Sequence, residues 1–120
     1  MLDASKIKIR NCLDANGKPA GGSAVVSLRL GGESELGYTA SVVNVEFQDG
    51  PIIDAGGRNG AFVEDLLYIA QKRIEFYNAA GFRCDENDTA LSHIAQAIAA
   101  MESRTARRKA AGTEGTHQGS

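Results

Sequence analysis

The hydrophobic period of this chain changes once, near residue 59, and that change limits the folds open to it. Before it, apolar and polar residues alternate. Ile7, Ile9 and Leu13 oppose Lys6, Lys8 and Arg10; Ala24, Val26, Leu28 and Leu30 oppose Val25, Ser27 and Arg29; Val43, Val45 and Phe47 oppose Val42, Asn44 and Glu46. A period of two predicts strands with one covered face. Asp14-Ala15-Asn16-Gly17 supplies a turn, because Asn and Gly tolerate positive φ. Gly31-Gly32 breaks the second strand, and Asp49-Gly50-Pro51 ends the third, since proline has no N–H to give a ladder. Ile52-Ile53 adds a short edge strand before Gly56-Gly57. After residue 59, Phe62, Leu66, Ile69, Arg73 and Phe76 or Tyr77 recur at three- and four-residue steps. This spacing predicts a helix over about 61–79, capped by Asn59 and stopped by Gly81. A second helix, capped by Asn87 or Asp88, carries Leu91, Ile94, Ile98, Met101 and Thr105 as a seam. Ala90, Ala95, Ala97, Ala99 and Ala100 keep its flanks thin enough for a second helix or a second subunit to approach. The expected fold is α+β: one oligomeric domain over 1–120, in which an N-terminal antiparallel β-sheet (1–58) packs on a C-terminal antiparallel two-helix hairpin (59–111), followed by a tail (112–120).

A chain of 120 residues supports one core of ordinary size. Its net charge of -2 and pI near 5.6 argue against general attraction to DNA or to a membrane surface, so any anion site must be local. Cys12 and Cys84 stand alone, without the spacing of a disulfide framework or a zinc site, and no cofactor is called for. No basic start leads into an apolar run, and no run approaches membrane-spanning length, so a cytoplasmic protein is expected.

Arg104 and Arg108 lie one helical turn apart, so their guanidinium groups can project together, with Arg107 and Lys109 adjacent. Arginine forks suit phosphate oxygens. The same residues also suit a solvated helix end whose cations complement the macrodipole, and charge alone leaves both readings open. Phe76 and Tyr77 close the first helix and could stack on a nucleobase or simply pack. Asn87 could read a base edge, cap the second helix, or do both. Gly56-Gly57-Arg58-Asn59-Gly60 resembles an anion nest but is neither a Walker loop nor a dinucleotide fingerprint, and is read as a turn plus cap. His93 has no metal-spaced partner and is read as a surface or interface histidine. With no nucleophile triad or paired metal carboxylates in view, binding is expected in place of catalysis.

Phe47-Gln48-Asp49-Gly50-Pro51-Ile52, then Asn59-Gly60 followed by Glu64-Asp65-Leu66-Leu67, resembles the strand-to-helix passage of the Thoeris anti-defence phage sponges. Asn87 with Ala90-Leu91, Arg104-Thr105, Arg107-Arg108 and the ending G-T-E-G-T-H from Gly112 to His117 resembles the hairpin those sponges share with anti-CBASS sponges. The likeness runs from Phe47 to His117 and weakens toward Met1. It implies capture, without degradation, of glycocyclic ADP-ribose signals (1''-2' or 1''-3' linked) made by TIR enzymes. It also implies that cyclic di- or trinucleotides bind at a second site. By position, Tyr77, with Phe76 beside it, is the stacking aromatic, Asn87 the polar reader, and Arg104 and Arg108 the pyrophosphate grip. The second site falls on Arg107, Thr113, Thr116 and His117. Pockets of this family form between subunits, in homo-oligomers from dimers to hexamers. A small phage nucleic-acid-binding or structural protein is the alternative.

Overall fold

The computed structural model describes residues 1–30, 38–50 and 57–111 of the chain. They form two compact units, Met1–Ala61 and Phe62–Ser120. The first is a three-stranded antiparallel sheet in the order β1-β2-β3, with β1 at Ile7–Leu13, β2 at Pro19–Leu30 and β3 at Tyr38–Phe47. The alternation expected from the sequence sets its register. Ile7, Val26 and Val43 stand in one row and Ile9, Ala24 and Val45 in the next, so the apolar residues share a face. The β1–β2 turn closes as the Asp14 carboxylate accepts from the N–H groups of Asn16 (2.8 Å) and Lys18 (3.0 Å), with Gly17 at φ 76°. Bulges interrupt the ladders between Asn11 and Leu13 and between Val26 and Ser27. The expected covered face is only half-realised, because Ile9 is 65% exposed and Leu13 68%. The break at Gly31-Gly32 and the edge strand at Ile52-Ile53 lie outside the described residues.

Beyond β3 the chain is fastened by two side-chain amides. Gln48 Oε1 accepts from the N–H groups of Asn59 (2.8 Å) and Gly60 (3.1 Å), while its Nε2 donates to the carbonyls of Gly50 (3.2 Å) and Gly57 (3.3 Å). Asn59 Oδ1 accepts from the Asp49 N–H (2.8 Å), and its Nδ2 donates to the Asp49 carbonyl (2.9 Å). A parallel bridge then pairs Phe47 with Ala61. The approach is so close that a Cβ on Gly60 would lie 2.6 Å from the Gln48 nitrogen.

The second unit is a helical hairpin, α1 at Val63–Tyr77 and α2 at Asp85–Ala110, joined through a π-helical turn at Asn78–Phe82. Gly81 ends that turn at φ 97°, as the sequence predicts. Both predicted caps are corrected. Asn59 is occupied by Asp49, and the cap position of α1 falls instead on Phe62, whose N–H donates to the Asp65 carboxylate (2.8 Å). α2 begins before Asn87, with Cys84 Sγ accepting the Asn87 N–H at 3.4 Å. The inner face of α1 keeps the expected stripe only at its start, where Phe62 and Leu66 are half-buried, and then departs from it. Half-buried residues recur as Leu67, Gln71, Ile74 and Asn78, whereas Ile69 is 64% and Phe76 56% exposed. Helical spacing alone does not choose between two apolar faces of one helix. On α2 the predicted seam holds: Leu91, Ile94, Ile98, Met101 and Thr105 are all half-buried. No hydrophobic side chain among the described residues is fully buried.

Replacing Gln48 with Ala should cost about 1–3 kcal/mol, since it strips partners from several backbone groups at once. Asn59→Ala should cost a similar amount, and the double variant less than the sum, because the two amides brace one loop. Urea denaturation followed by circular dichroism measures all three; strict additivity would dissolve the idea of one joint fastening.

Candidate functional site

The sequence places its candidate residues at both ends of α2, and the structure keeps them apart. At the turn end, Phe76 and Tyr77 occupy the last turn of α1, both exposed, with ring centroids 6.1 Å apart and planes inclined at 58°. Arg73, one turn earlier, lays its guanidinium over both rings, 5.2 Å from the Phe76 centroid and 4.8 Å from that of Tyr77. In the sequence Arg73 stands only as one position of the α1 stripe. Its steps of three and four to the two aromatics were the signal available.

Asn87 sits at the same end and serves the fold. Its Nδ2 donates to Asn78 Oδ1 (3.1 Å) and to the Phe82 carbonyl (3.2 Å). Asn78 Nδ2 in turn donates to Asp88 (3.1 Å), which also accepts from Arg83 (3.2 Å). The net of amides and one ion pair ties both helix ends to the turn. Nothing in the isolated sequence pairs Asn78 with Asn87, because the contact depends on the π-helical turn.

Arg104, Arg107 and Arg108 lie in the last two turns of α2. Arg104 and Arg107 are exposed; Arg108 is half-buried and continues the seam after Thr105, more central than the flank expected for it. At a rise of about 1.5 Å per residue, Arg104 stands roughly 25 Å from Asn87 along the axis and Arg108 roughly 32 Å. Level with the Asn78–Asp88 contact, equal rise sets Val63 opposite about residue 103, so the arginine end runs past the start of α1. Within one chain, therefore, most of the length of α2 separates the two groups. Thr113, Thr116 and His117 lie outside the described residues.

Charge divides along the same rod. Asp85, Glu86 and Asp88 crowd the first turn of α2, and Arg107, Arg108 and Lys109 the last, each complementing the helix dipole. A shallow concavity lined by Asp85, Glu86, Thr89, Ala90 and His93 falls on the acidic end, which disfavours phosphate there. No group of metal-ligating side chains gathers among the described residues. In the nest-like run ending at Gly60, the Asn59 and Gly60 N–H groups donate to Gln48, so a neutral amide already fills this part of it, and Asn59 does not cap α1; Gly56 lies outside the described residues. No helix among the described residues is long and apolar enough to cross a membrane.

No family model matches the chain. Among curated proteins it is 33% identical, over 81 residues, to "Thoeris anti-defense 1" of Bacillus phage SBSphiJ7. The aligned stretch is 68% of this chain and 56% of that relative, so the chain spans just over half of its length.

The two ends should respond differently to mutation. Asn87→Ala removes two donors from the turn and should lower hairpin stability by about 1–2 kcal/mol, with faster amide exchange over residues 78–84. Arg104→Ala, at an exposed position, should stay within about 0.5 kcal/mol of the parent protein. Chemical denaturation with hydrogen exchange distinguishes these outcomes.

Proposed function

Because the chain belongs to the Thoeris anti-defence family, we propose that it is a non-catalytic sponge that captures glycocyclic ADP-ribose in the infected cell's cytoplasm and so starves the Thoeris effector. The observation that carries this reading is the exposed aromatic pair with its guanidinium, set on a helix whose far end displays Arg104 and Arg108. Tyr77 stacks the adenine, Asn87 offers its amide oxygen at the rim while its Nδ2 holds the turn, and the two arginines hold the pyrophosphate by charge-assisted hydrogen bonds. Capture at an affinity well below the working signal concentration lowers free signal by mass action, and no turnover is required.

A second copy would bring together the two groups that roughly 25 Å of helix separates within one chain. Two α2 helices laid antiparallel bring the arginines of one chain to the aromatic end of the other. Their crossing point falls midway between Asn87 and the arginines, at about residues 95–98. Ala95 and Ala97 lie in that stretch and Ala99 and Ala100 just beyond it, with Ala95, Ala99 and Ala100 exposed, so two backbones can approach closely. Antiparallel pairing also opposes the acidic first turn of one α2 to the basic last turn of the other. A two-fold axis through the alanines then makes two equivalent pockets. A second site for cyclic oligonucleotides falls on Arg107 together with Thr113, Thr116 and His117.

Incubation with 1''-2' or 1''-3' glycocyclic ADP-ribose, followed by gel filtration and heat denaturation, should return the intact molecule. An altered product would mean an enzyme, and failure of the wild type to retain the probe would end the proposal in favour of a nucleic-acid-binding or structural role. Tyr77→Ala and Arg108→Ala should each abolish retention while circular dichroism stays unchanged. Co-expressed, the two variants should regain about a quarter of the wild-type capacity, because half of randomly formed pairs are mixed and each mixed pair keeps one intact pocket. No recovery on mixing would place both residues of a pocket on one chain.

A further inference from the structure

Arg73 has so far been given no contact with the ligand, yet among the described residues its guanidinium lies over both aromatic rings. Its guanidinium carbon lies 4.8 Å from the Tyr77 centroid and 5.2 Å from that of Phe76, on a face of α1 where Ile69 and Phe76 are exposed. Its neighbours on that face at steps of three and four are Ile69, Ala70, Phe76 and Tyr77, none of them acidic. Lys72, the adjacent cation, differs: it is paired with Glu75 at 3.4 Å and lies over Tyr68 at 5.1 Å. Arg83, nearby in the chain, is paired with Asp88 at 3.2 Å. Among the described residues, then, Arg73 is held by two aromatic rings and by no carboxylate.

A guanidinium in that setting has directional N–H groups at its edge and a full charge that no neighbouring carboxylate offsets. Contact with two rings restricts the side chain and lowers the entropy lost on binding an anion. A nucleotide presents a flat π-face and, one sugar away, a phosphate. Such a ligand matches an aromatic ring and a cation anchored on the same helical turn. We infer that Arg73 is a phosphate-binding and specificity-determining residue of the Tyr77 site, selecting anion-bearing nucleotides over uncharged nucleosides. The inference rests on the sponge reading above and adds to it a cation contributed by the aromatic end itself, independent of the arginines supplied by a second copy. It also gives the aromatic end, where Lys72 and Arg83 are paired with carboxylates and the first turn of α2 is acidic, a cation that no carboxylate holds.

Calorimetric titration of the wild type, Arg73→Met, Arg73→Lys and Tyr77→Ala with 1''-3' glycocyclic ADP-ribose, at 50 and 500 mM NaCl, tests this. Arg73→Met should bind about tenfold more weakly at low salt, with the gap closing at high salt, and Arg73→Lys should recover part of the loss. Helical circular dichroism checks that each variant is folded. Wild-type affinity in Arg73→Met alongside lost binding in Tyr77→Ala overturns the role of Arg73 and leaves the sponge reading intact. A loss that is equal at both salt concentrations and unrelieved by lysine also overturns it, since the guanidinium would then only prop the ring. If the wild type itself does not bind the probe, the sponge reading falls and this inference falls with it.

Discussion

The amide of Asn87 holds the hairpin turn, and much of what the second unit displays follows from that contact. By donating to Asn78 and to the Phe82 carbonyl, it fixes where α1 ends relative to the start of α2. Once that register is set, Leu67, Ile74 and Asn78 turn inward and Ile69, Arg73 and Phe76 turn outward. The same register leaves the last two turns of α2 beyond the start of α1, with Arg104 in solvent. Losing a few hydrogen bonds at the turn would therefore disturb groups a full helix length away.

The sheet and hairpin were legible because their signals are local and periodic. Strand alternation and the Asp14-Ala15-Asn16-Gly17 turn located β1 and β2, and Gly81 located the end of the first helix. What failed was choice among equals. Asn59 and Asn87 are both good caps by type, yet each is drawn away by a partner distant in sequence, Asp49 in one case and Asn78 in the other. Cysteine, a weaker acceptor, caps α2 because position decides where propensity does not. The inner face of α1 was misjudged for a related reason: both faces carry apolar residues, and only the contact with α2 separates them.

The site was legible as a set of residue types and not as a place. Arginines one turn apart, an aromatic pair and an asparagine can be read from spacing, but the helix length between them is what sets their geometry. Gln48 and Asn59 show the opposite case. They drew attention as a pattern shared with a family, and the structure supplies a cause for such a pattern, since the two runs hydrogen-bond to each other and neither would hold its loop alone.

Helix α2 is a rod with unlike ends, 26 residues long, carrying acid beside Asn87 at one end and arginines at the other. A rod of this kind measures distance. In the proposed antiparallel pair its length sets where unlike ends meet, and each added chain brings as many aromatic ends as arginine ends. Capacity in the proposed arrangement is then one molecule per chain, so protection would scale linearly with the amount of protein made.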